Sequence, residues 1–312
     1  MSKVDIPKFQ LQERLPMKKI SVNHALVTDI FSMNNEEYQK ALRGEERKFL
    51  EANTAKHGTV KSYYWLKVLD DKRVKINAPL DELDRDILDA CISAQEHGFI
   101  AFTYDGIYHS ITGNTNPDVK PTDAWKKEIA DRVDRLACIR VTVDTSDAHK
   151  AGIYRKDSDI KFKGSLLPCE VIEAYVNGQL MNGVIHFLAE SPLLRIARAR
   201  SGKNKEAAQI LTYATALLNV PNQRNTPITN RITNYIVRRV VVAKQHSNMT
   251  RTIRLDTLFK QCGLADADRR RKLEYRKSIE AVMKSLVDKG EIQSFEFVQE
   301  SGQFTKITFN FS

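Results

Sequence analysis

The stretch that decides the fold is TPITNRITNYIVRRVVVAKQHSNMTRTIRLDTLFKQCG, at residues 226–263. Thr226 is a favourable N-cap and Pro227 fits the first position of a helix, so the sequence predicts a helix that runs to about Gln245. A short strand at 252–254 follows, and then a short helix that Asp256 caps. The apolar residues of the first helix recur three or four positions apart, at Ile228, Ile232, Tyr235 and Val242.

Downstream of this stretch the sequence predicts a long helix and a β-hairpin. The helix spans about 266–289, and Gly290 ends it. A strand at 294–298 and a second, alternating strand follow, joined by a turn at Ser301 and Gly302. The order of helix, short strand, short helix, long helix and hairpin is that of a winged helix-turn-helix.

The same order occurs earlier in the chain. A helix is predicted at 80–97, a short helix between Thr103 and Gly113, and a third helix that Thr122 opens. The apolar period then changes from that of a helix to that of a strand, which predicts a hairpin over 139–162. Corresponding elements lie 146 to 153 residues apart, and chance rarely gives such a duplication. The predicted fold class is therefore α+β, with two winged helix-turn-helix domains in tandem.

A β-hairpin and a basic segment are predicted to join the two domains. The hairpin spans 171–187, because Asn177-Gly178 is a strong signal for a two-residue turn, and Ser191-Pro192 then opens a short basic helix. The predicted division of the chain is a polar arm with a surface helix (1–58), a first winged-helix domain with added strands (59–190), a basic connector (191–225) and a second winged-helix domain (226–312).

Positive charge is concentrated in one segment. Residues 191–255 contain twelve lysines and arginines and one acid, Glu206, a net of +11 against +10 for the whole chain. A local positive field attracts a polyanion, since each cation that meets a phosphate releases a condensed counterion. A solvated basic surface is the alternative. The ordered segments on either side favour nucleic acid.

The bulk composition is that of an ordinary globular protein, with 42% apolar and 28% charged residues among 312. No stretch approaches the ~18 uninterrupted apolar residues of a membrane span, and charge from Lys3 onward leaves no signal-peptide core. We therefore expect a cytoplasmic protein without a membrane partner. Four isolated cysteines argue against zinc and against a disulfide framework, namely Cys91, Cys138, Cys169 and Cys262.

The long helix of the second domain carries most of the predicted DNA contacts. In a helix-turn-helix this helix enters the major groove with its amino-terminal part, where guanidinium groups can contact guanine. Arg251 and Arg254 are predicted phosphate contacts, whereas Arg231, Arg238 and Arg239 are less favoured because their stems can pack along apolar surface. A solvated helix start with pairs such as Arg270–Glu274 is the alternative. The predicted residues of the long helix are Arg269, Arg270, Arg271, Lys272, Arg276 and Lys277.

The corresponding helix of the first domain has no net charge, because four acids balance its four bases. Two of those bases, Lys126 and Lys127, are predicted DNA contacts, as are Lys161 and Lys163 in the predicted wing. The domain is therefore expected either to bind DNA with fewer contacts or to mediate dimerisation. The sequence does not decide between these two roles.

No pattern in the chain predicts catalysis. The histidines are scattered singly, and no glycine-rich loop is followed by Lys-Ser/Thr, so neither a metal-dependent nicking enzyme nor a P-loop ATPase is predicted. Asp84, Asp86 and Asp89 could form a metal-binding cluster, but their spacing favours a solvated acidic face beside an apolar seam. We therefore expect no enzyme, no catalytic residue, no metal and no cofactor.

Four segments support a family resemblance: LDELDRD (80–86), the short helix at 104–113, YIVRR (235–239) and RLDTL (254–258). Their order resembles the tandem winged-helix replication initiators of plasmids and the initiator-like proteins of conjugative elements and phages. The resemblance covers about residues 75–312 and implies that both winged helices bind repeated sites at an origin. It also implies a switch between a repressing dimer and an origin-opening monomer. The third helix of the first domain has no net charge, so the two helices that this resemblance assigns to DNA are not both basic.

The leading hypothesis is a non-enzymatic, sequence-specific protein that binds double-stranded DNA and initiates replication of a plasmid or other mobile element, with host replication proteins as partners. The first alternative is a transcriptional or partition regulator of the same fold, which would not melt an adjacent A·T-rich segment. The second is a protein-binding winged-helix scaffold, which predicts negligible DNA affinity even at low salt. A nuclease that uses magnesium with Asp84, Asp86 or Asp89 is the third.

Overall fold

The computed structural model describes residues 18–69, 78–156, 158, 161–199, 209–246, 248–300 and 303–311. Residues 1–17 of the predicted arm, part of the basic connector and the predicted Ser301-Gly302 turn lie outside these ranges. The described helices are α1 (Ala25–Ile30), α2 (Asn35–Leu42), α3 (Glu82–Glu96), α4 (Tyr104–Thr112), α5 (Asp123–Cys138), α6 (Ser146–Lys150), α7 (Pro192–Arg198), α8 (Pro227–Gln245), α9 (Leu255–Gln261) and α10 (Arg269–Asp288). The strands are β1 (Lys18–Val22), β2 (Arg47–Thr54), β3 (Gly58–Val68), β4 (Ala101–Thr103), β5 (Ile139–Asp144), β6 (Lys161–Ser165), β7 (Cys169–Val176), β8 (Gln179–Phe187), β9 (Ile210–Ala214), β10 (Thr252–Arg254), β11 (Ser294–Glu300) and β12 (Gln303–Asn310).

Two units of the chain have the same order of elements. The first unit consists of α3, β4, α4, α5 and the β7–β8 hairpin, and the second unit consists of α8, β10, α9, α10 and the β11–β12 hairpin. In each unit the short strand pairs with the last strand of the hairpin, which gives the sheet orders β4-β8-β7 and β10-β12-β11. The fold is α+β, and the predicted repetition of the element order is present.

The strands of the predicted hairpin at 139–162 do pair with each other, as β5 and β6, but this pair is not the hairpin of the first unit. β5 pairs with β3 on one side and β6 on the other, in a separate four-stranded sheet of order β2-β3-β5-β6. The hairpin that completes the first unit is β7–β8, which the sequence predicted as a connector. Its turn has positive φ at both Asn177 (50°) and Gly178 (78°), as a type I′ turn requires. Residues 139–168 are therefore an insertion in the first unit, and alternation alone could not show it because alternation does not identify a strand's partner.

The predicted surface helix before residue 58 is present as α2, with Asn35 and Glu36 exposed. The prediction of an extended arm is wrong for the described residues before α2, because they form β1 and α1. β2 and β3 form a hairpin across the predicted domain boundary. Ile30 of α1 and Tyr38 of α2 are fully buried in the same core as α3. Both helices are short, with six and eight residues, so neither contributes enough apolar positions for a clear periodic signal.

The connector between the units is more ordered than predicted. α7 begins where expected, with the Ser191 hydroxyl accepting from the Leu193 N–H. β9 pairs antiparallel with β1, and these strands pack on α8 and α3 respectively. At the end of α4, Gly113 has a φ of 68°, and a Cβ there would lie 2.5 Å from the backbone nitrogen of Asn219. Only glycine allows the connector to approach α4 this closely.

Each unit has its own hydrophobic core, and α3 is the most enclosed helix of the first core. Every residue from Glu82 to Ala94 is buried, although the helix begins with several charged side chains. That burial is possible because α8 of the second unit packs against α3. Within the described ranges, no helix has both the length and the apolar character needed to cross a membrane.

Candidate nucleic-acid interface

α10 is held by its carboxyl-terminal half and exposes its amino-terminal half. Ile279, Val282 and Leu286 are buried in the second core. Asp268 caps the first turn, because its carboxylate accepts from the Arg271 N–H at 2.8 Å. The cap and the core therefore fix the direction of a helix whose first turns face solvent.

Cations cover this exposed half of α10. The side chains of Arg270 and Arg271 are 91% and 67% exposed. Arg270 Nε lies 3.6 Å from Glu274 Oε1, a fully hydrated pair that adds little stability. The first turn contains no acid. Since the amino-terminal end of a helix is already positive, three successive arginines there disfavour the helix, and a bound anion would relieve the repulsion.

A concave surface lies between β10, α10 and the β11–β12 hairpin. Arg254, Lys272 and Lys306 line this cleft, which has a volume of about 490 Å³. Arg254 Nη2 lies 2.6 Å from Asp256 Oδ2, and Lys306 Nζ lies 2.9 Å from Glu300 Oε1. The sequence identified Arg254 and Lys272 but missed Lys306. Only the pairing of β10 with β12 shows that Lys306 lies directly opposite Arg254.

Arg251 precedes β10, at the opposite end of that strand from Arg254. It is exposed, and its Cζ lies 5.2 Å from the centroid of the Phe311 ring. This ring contact orients the guanidinium without neutralising it. Its predicted contact with phosphate therefore stays a prediction.

Arg276 lies against aromatic rings, and its predicted DNA contact stays a prediction. Its Cζ lies 3.4 Å from the centroid of the Phe304 ring and 4.8 Å from that of Phe297. Both rings belong to the β11–β12 hairpin, so the guanidinium stacks between the hairpin and α10. Arg276 therefore holds the hairpin on the helix.

The predicted residues of the first unit do not come together. Lys126 has only 12% of its side chain exposed, and its Nζ lies 3.6 Å from Asp123. Lys127 is exposed beside it. Lys161 and Lys163 were predicted as part of a wing beside α5, but they lie on β6 of the four-stranded sheet. That location is a correction, and it follows from the misplaced hairpin.

The hairpin of the first unit is apolar on its exposed side. β7 is an edge strand, and the side chains of Ile172, Tyr175 and Val176 on it are exposed. The tip of the hairpin is tied to α5, because Gln179 Nε2 donates to Asp123 Oδ2 at 2.5 Å. The first unit therefore presents apolar surface where the second unit presents charge.

The prediction of a solvated acidic face at Asp84, Asp86 and Asp89 is wrong, because all three are buried. Asp84 Oδ2 lies 3.0 Å from Arg132 Nη1, and the Asp89 carboxylate accepts from the Ser21 hydroxyl at 2.6 Å. Burial raises the pKa of Asp84 to about 6 and also raises the pKa of Asp86. Within the described ranges, no group of three or more His, Cys, Asp or Glu side chains is arranged to hold a metal ion.

Two arginines of α8 complete this buried ionic cluster across the two units. Arg231 Nη1 lies 2.9 Å from Asp81 Oδ2. Arg238 contacts Glu82 and lies 3.4 Å from Asp89 Oδ2 and 3.7 Å from Asp86 Oδ1. The sequence indicated that these stems can pack along apolar surface, but not that their partners lie about 150 residues earlier. Both guanidinium groups are paired with acids of α3 and its cap.

The basic segment 191–255 is consequently not a continuous basic surface. Arg200, Lys203, Lys205 and Glu206 of this segment lie outside the described residues. Of its nine described cations, five form ion pairs with acids outside the segment, namely Arg198, Arg231, Arg238, Lys244 and Arg254. The exposed positive charge of the second unit lies mainly on α10, beyond the segment that the linear charge count emphasised.

Comparisons with known proteins find no matching family model and no matching curated protein. Two crystal structures of domains 2 and 3 of RctB are similar to this chain at 9% and 11% identity, with TM-scores of 0.38 and 0.39, and each comparison covers 85% of this chain and 91% of that chain. The Pi initiator protein in complex with iteron DNA is similar at 10% identity and a TM-score of 0.37, over 95% of this chain and 97% of that chain. A likeness at these TM-scores does not by itself establish the fold or the function.

Proposed function

We propose that the two units are winged helices and that the second unit binds double-stranded DNA in a sequence-specific manner. The observation that carries this proposal is the exposed first half of α10, whose first turn holds three arginines and no acid. A helix of this kind beside a hairpin has the shape and charge to enter a major groove. Arg269, Arg270, Arg271 and Lys277 would contact bases or phosphates there.

The proposed role of this binding is initiation of replication of a plasmid or another mobile element. It rests on the duplicated units and on the family resemblance of the four sequence segments described above. The activity is non-enzymatic and needs no cofactor, and host replication proteins in the cytoplasm would act on the opened DNA. The buried cluster between α3 and α8 supports the idea that both units move as one body on DNA, because separating them would expose or unpair several charges.

The first unit is proposed to contribute self-association more than base contacts. Its β7 strand has a free edge and exposed apolar side chains, and such an edge readily pairs with another chain. A monomer–dimer equilibrium through this hairpin would fit the neutral α5. Sedimentation of Ile172→Lys should show a weaker dimer than the wild type. A wild-type chain that is monomeric at all concentrations would remove this part of the proposal.

The test of the proposed function is selection of bound genomic fragments at about 50 and 200 mM salt. Recovery of a short repeated site near the protein's own gene supports an initiator or a regulator. The protein would instead bind DNA non-specifically if fragments are recovered without sequence preference and their recovery falls by a factor on the order of 10³ between the two salt concentrations. No recovery at either salt concentration would favour a protein-binding scaffold.

Strand opening separates the initiator from the regulator. Permanganate reactivity of thymines beside the recovered site should rise when the protein binds, if the protein opens the origin. Unchanged reactivity with full site occupancy would favour a transcriptional or partition regulator. The Arg270→Ala, Arg271→Ala double variant should lose both site occupancy and reactivity.

A further inference from the structure

The four-stranded sheet has one buried face and one open face. Strands alternate the direction of their side chains, so each strand contributes to both faces. Tyr64 and Leu66 of β3 lie on the buried face, together with Val141 and Val143 of β5. The residues at the intervening positions lie on the open face, and all four strands contribute side chains to it.

Two aromatic rings lie on the open face. Tyr63 and Trp65 are successive outward positions of β3, and both are partly exposed. Tyr63 lies between Lys48 of β2 and Asp144 of β5. Trp65 lies opposite Thr142 of β5, and the pairing of β2 with β3 ends one residue before it. A partly exposed tryptophan on the open face contributes little to the core, because the core is on the other face.

Cations surround the two rings. The open face carries six of them and two acids, and each acid is paired with a lysine. Asp144 Oδ2 lies 2.7 Å from Lys161 Nζ, and Glu51 contacts Lys48. The cations of this face are Lys48, Lys61, Lys67, Arg140, Lys161 and Lys163.

Three of these cations lie next to Trp65 and have no ion-pair partner among the residues that the structure describes. Lys67 and Arg140 are directly opposite each other on β3 and β5, and Lys163 lies opposite Thr142 on β6. All three are exposed. Like charges directly across a sheet are destabilising. This arrangement therefore disfavours folding and suits an anionic ligand.

We propose that the open face of the four-stranded sheet binds single-stranded DNA, with Tyr63 and Trp65 stacking on bases and Lys67, Arg140 and Lys163 contacting phosphates. Successive outward positions of a strand are roughly 7 Å apart. That is about twice the ~3.4 Å rise of stacked bases in a duplex, so the two rings suit bases of an extended strand. An open sheet with aromatic rings and cations is an established way to bind single strands without strong sequence preference.

A single strand suits this face better than a duplex or a protein partner. Bases in a duplex are already stacked on each other, so rings on a broad sheet cannot reach their faces. The exposed aliphatic side chains that would suit a protein partner lie elsewhere, for example Ile172 and Val176 on β7. The choice of DNA over RNA rests on the proposed function, since a protein that opens an origin has separated DNA strands to hold.

The site is distinct from the proposed duplex interface. It is built from β2, β3, β5 and β6, whereas the duplex interface is built from α10, β10 and the β11–β12 hairpin. The two sites can therefore be tested separately in the full chain. They could also be occupied together, which would let one molecule hold a duplex site and an opened strand.

The test compares oligo(dT) and duplex binding by fluorescence anisotropy. The Tyr63→Ala, Trp65→Ala double variant should bind oligo(dT) at least tenfold more weakly, since stacking on each ring contributes about 1–3 kcal/mol. Lys67→Ala with Arg140→Ala should lower the magnitude of the salt slope for oligo(dT) by about 1.4. Both variants should keep the wild-type affinity for the duplex site. Lys150→Ala is the matched control, because Lys150 is an exposed lysine of the first unit that belongs to neither site.

Tryptophan fluorescence gives a direct readout of the contact. The chain has two tryptophans, and Trp125 is buried with 5% exposure, so Trp65 dominates any quenching by a bound strand. Oligo(dT) should quench the wild-type emission and leave Trp65→Phe nearly unchanged. Quenching that persists in Trp65→Phe would place the strand elsewhere.

Several outcomes would overturn the inference. The first is full oligo(dT) affinity in the Tyr63→Ala, Trp65→Ala variant. The second is tighter binding of oligo(rU) than of oligo(dT) by the wild type. The third is that the double variant changes its oligomeric state but not its affinity for the oligonucleotide. Loss of duplex binding with intact oligo(dT) binding would refute the proposed function and leave this site standing. The reverse result would refute the site and leave the proposed function standing.

Discussion

The two units share an order of elements but use their basic side chains differently. In the second unit, Arg270 and Arg271 project from the first turn of α10 into solvent. In the first unit, Arg132 of the corresponding helix α5 contacts Asp81 and Asp84 inside the protein. The same structural frame therefore presents cations outward in one unit and inward in the other. The position of the arginines relative to the core, more than their number, determines which unit is suited to the proposed DNA binding.

The hairpins of the two units also differ in the side chains that they expose or border. The β11–β12 hairpin borders a cleft lined by charged side chains and is fixed to α10 by Arg276. The β7–β8 hairpin exposes Ile172, Tyr175 and Val176 along a free edge. The two units therefore share an order of elements but expose different surfaces, and the fold alone does not determine what each unit binds. Four predictions test this contrast.

The largest expected effect is on stability. Arg238→Ala should lower the free energy of unfolding by about 3–5 kcal/mol, because it removes the buried cation that contacts the buried Glu82 carboxylate. Urea denaturation measures the change. Arg239→Ala, the next residue of α8, should change stability by less than about 0.5 kcal/mol, because Arg239 has no ion-pair partner among the described residues. Equal losses in both variants would contradict the assignment of the buried cluster.

The second prediction compares α10 of the second unit with α5 of the first unit. Arg270→Ala with Arg271→Ala should reduce the preference for the specific site over random duplex by a factor of ten or more, since each base contact gives about 1–3 kcal/mol. Competition binding measures this preference. The matched variant Lys126→Ala with Lys127→Ala in α5 should change it less than threefold. A uniform loss on all sequences in the α10 variant would mean that these arginines contact only phosphate.

The third prediction concerns pH and Asp84. Burial raises the pKa of this carboxyl in the folded state to about 6, so stability from Asp84 is complete below about pH 4 and is lost as the pH rises to about 6. Asp84→Asn should remove this part of the pH dependence, on the order of 1–2 kcal/mol when coupling to Asp81 is included. The change is measured as the difference in unfolding free energy between variant and wild type at about pH 4 and 6.5. A difference that is the same at both pH values would contradict it.

The smallest expected effect is on salt dependence. Arg251→Ala should weaken duplex binding on all sequences and reduce the magnitude of the salt slope by about 0.9, as expected for one lost phosphate contact. Lys244→Ala is the control, because Lys244 pairs with Glu291 at 2.9 Å. An unchanged slope in Arg251→Ala would remove that residue from the interface.

The helices of both units were predictable because they carry their own signals. Thr226 and Pro227 mark the start of α8, and apolar residues at helical spacing mark the buried sides. The structure confirms this start, and it begins α10 at Arg269, slightly after the predicted start near 266. The hairpin turn at Asn177-Gly178 was equally clear, because both residues tolerate positive φ.

The errors share a physical cause, which is that sequence patterns do not name a partner. β5 pairs with β6 as predicted, but it also pairs with β3, so the two strands belong to a four-stranded sheet and not to the hairpin of the first unit. Asp86 and Asp89 lie on the polar side of α3, and that side is buried only because Arg238 arrives from a helix about 150 residues later. The basic segment 191–255 seemed to be a surface for the same reason. Its counter-ions are distant in sequence and close in space.

The most direct test of the central claim is amide hydrogen exchange of the full chain with and without its selected duplex. We expect new protection in the first turns of α10 and in the β11–β12 hairpin, with little change in α5 and the β7–β8 hairpin. Protection of equal size in α5 and α10 would show that both units bind the duplex. Protection confined to the first unit would contradict the assignment of the second unit as the DNA-binding one.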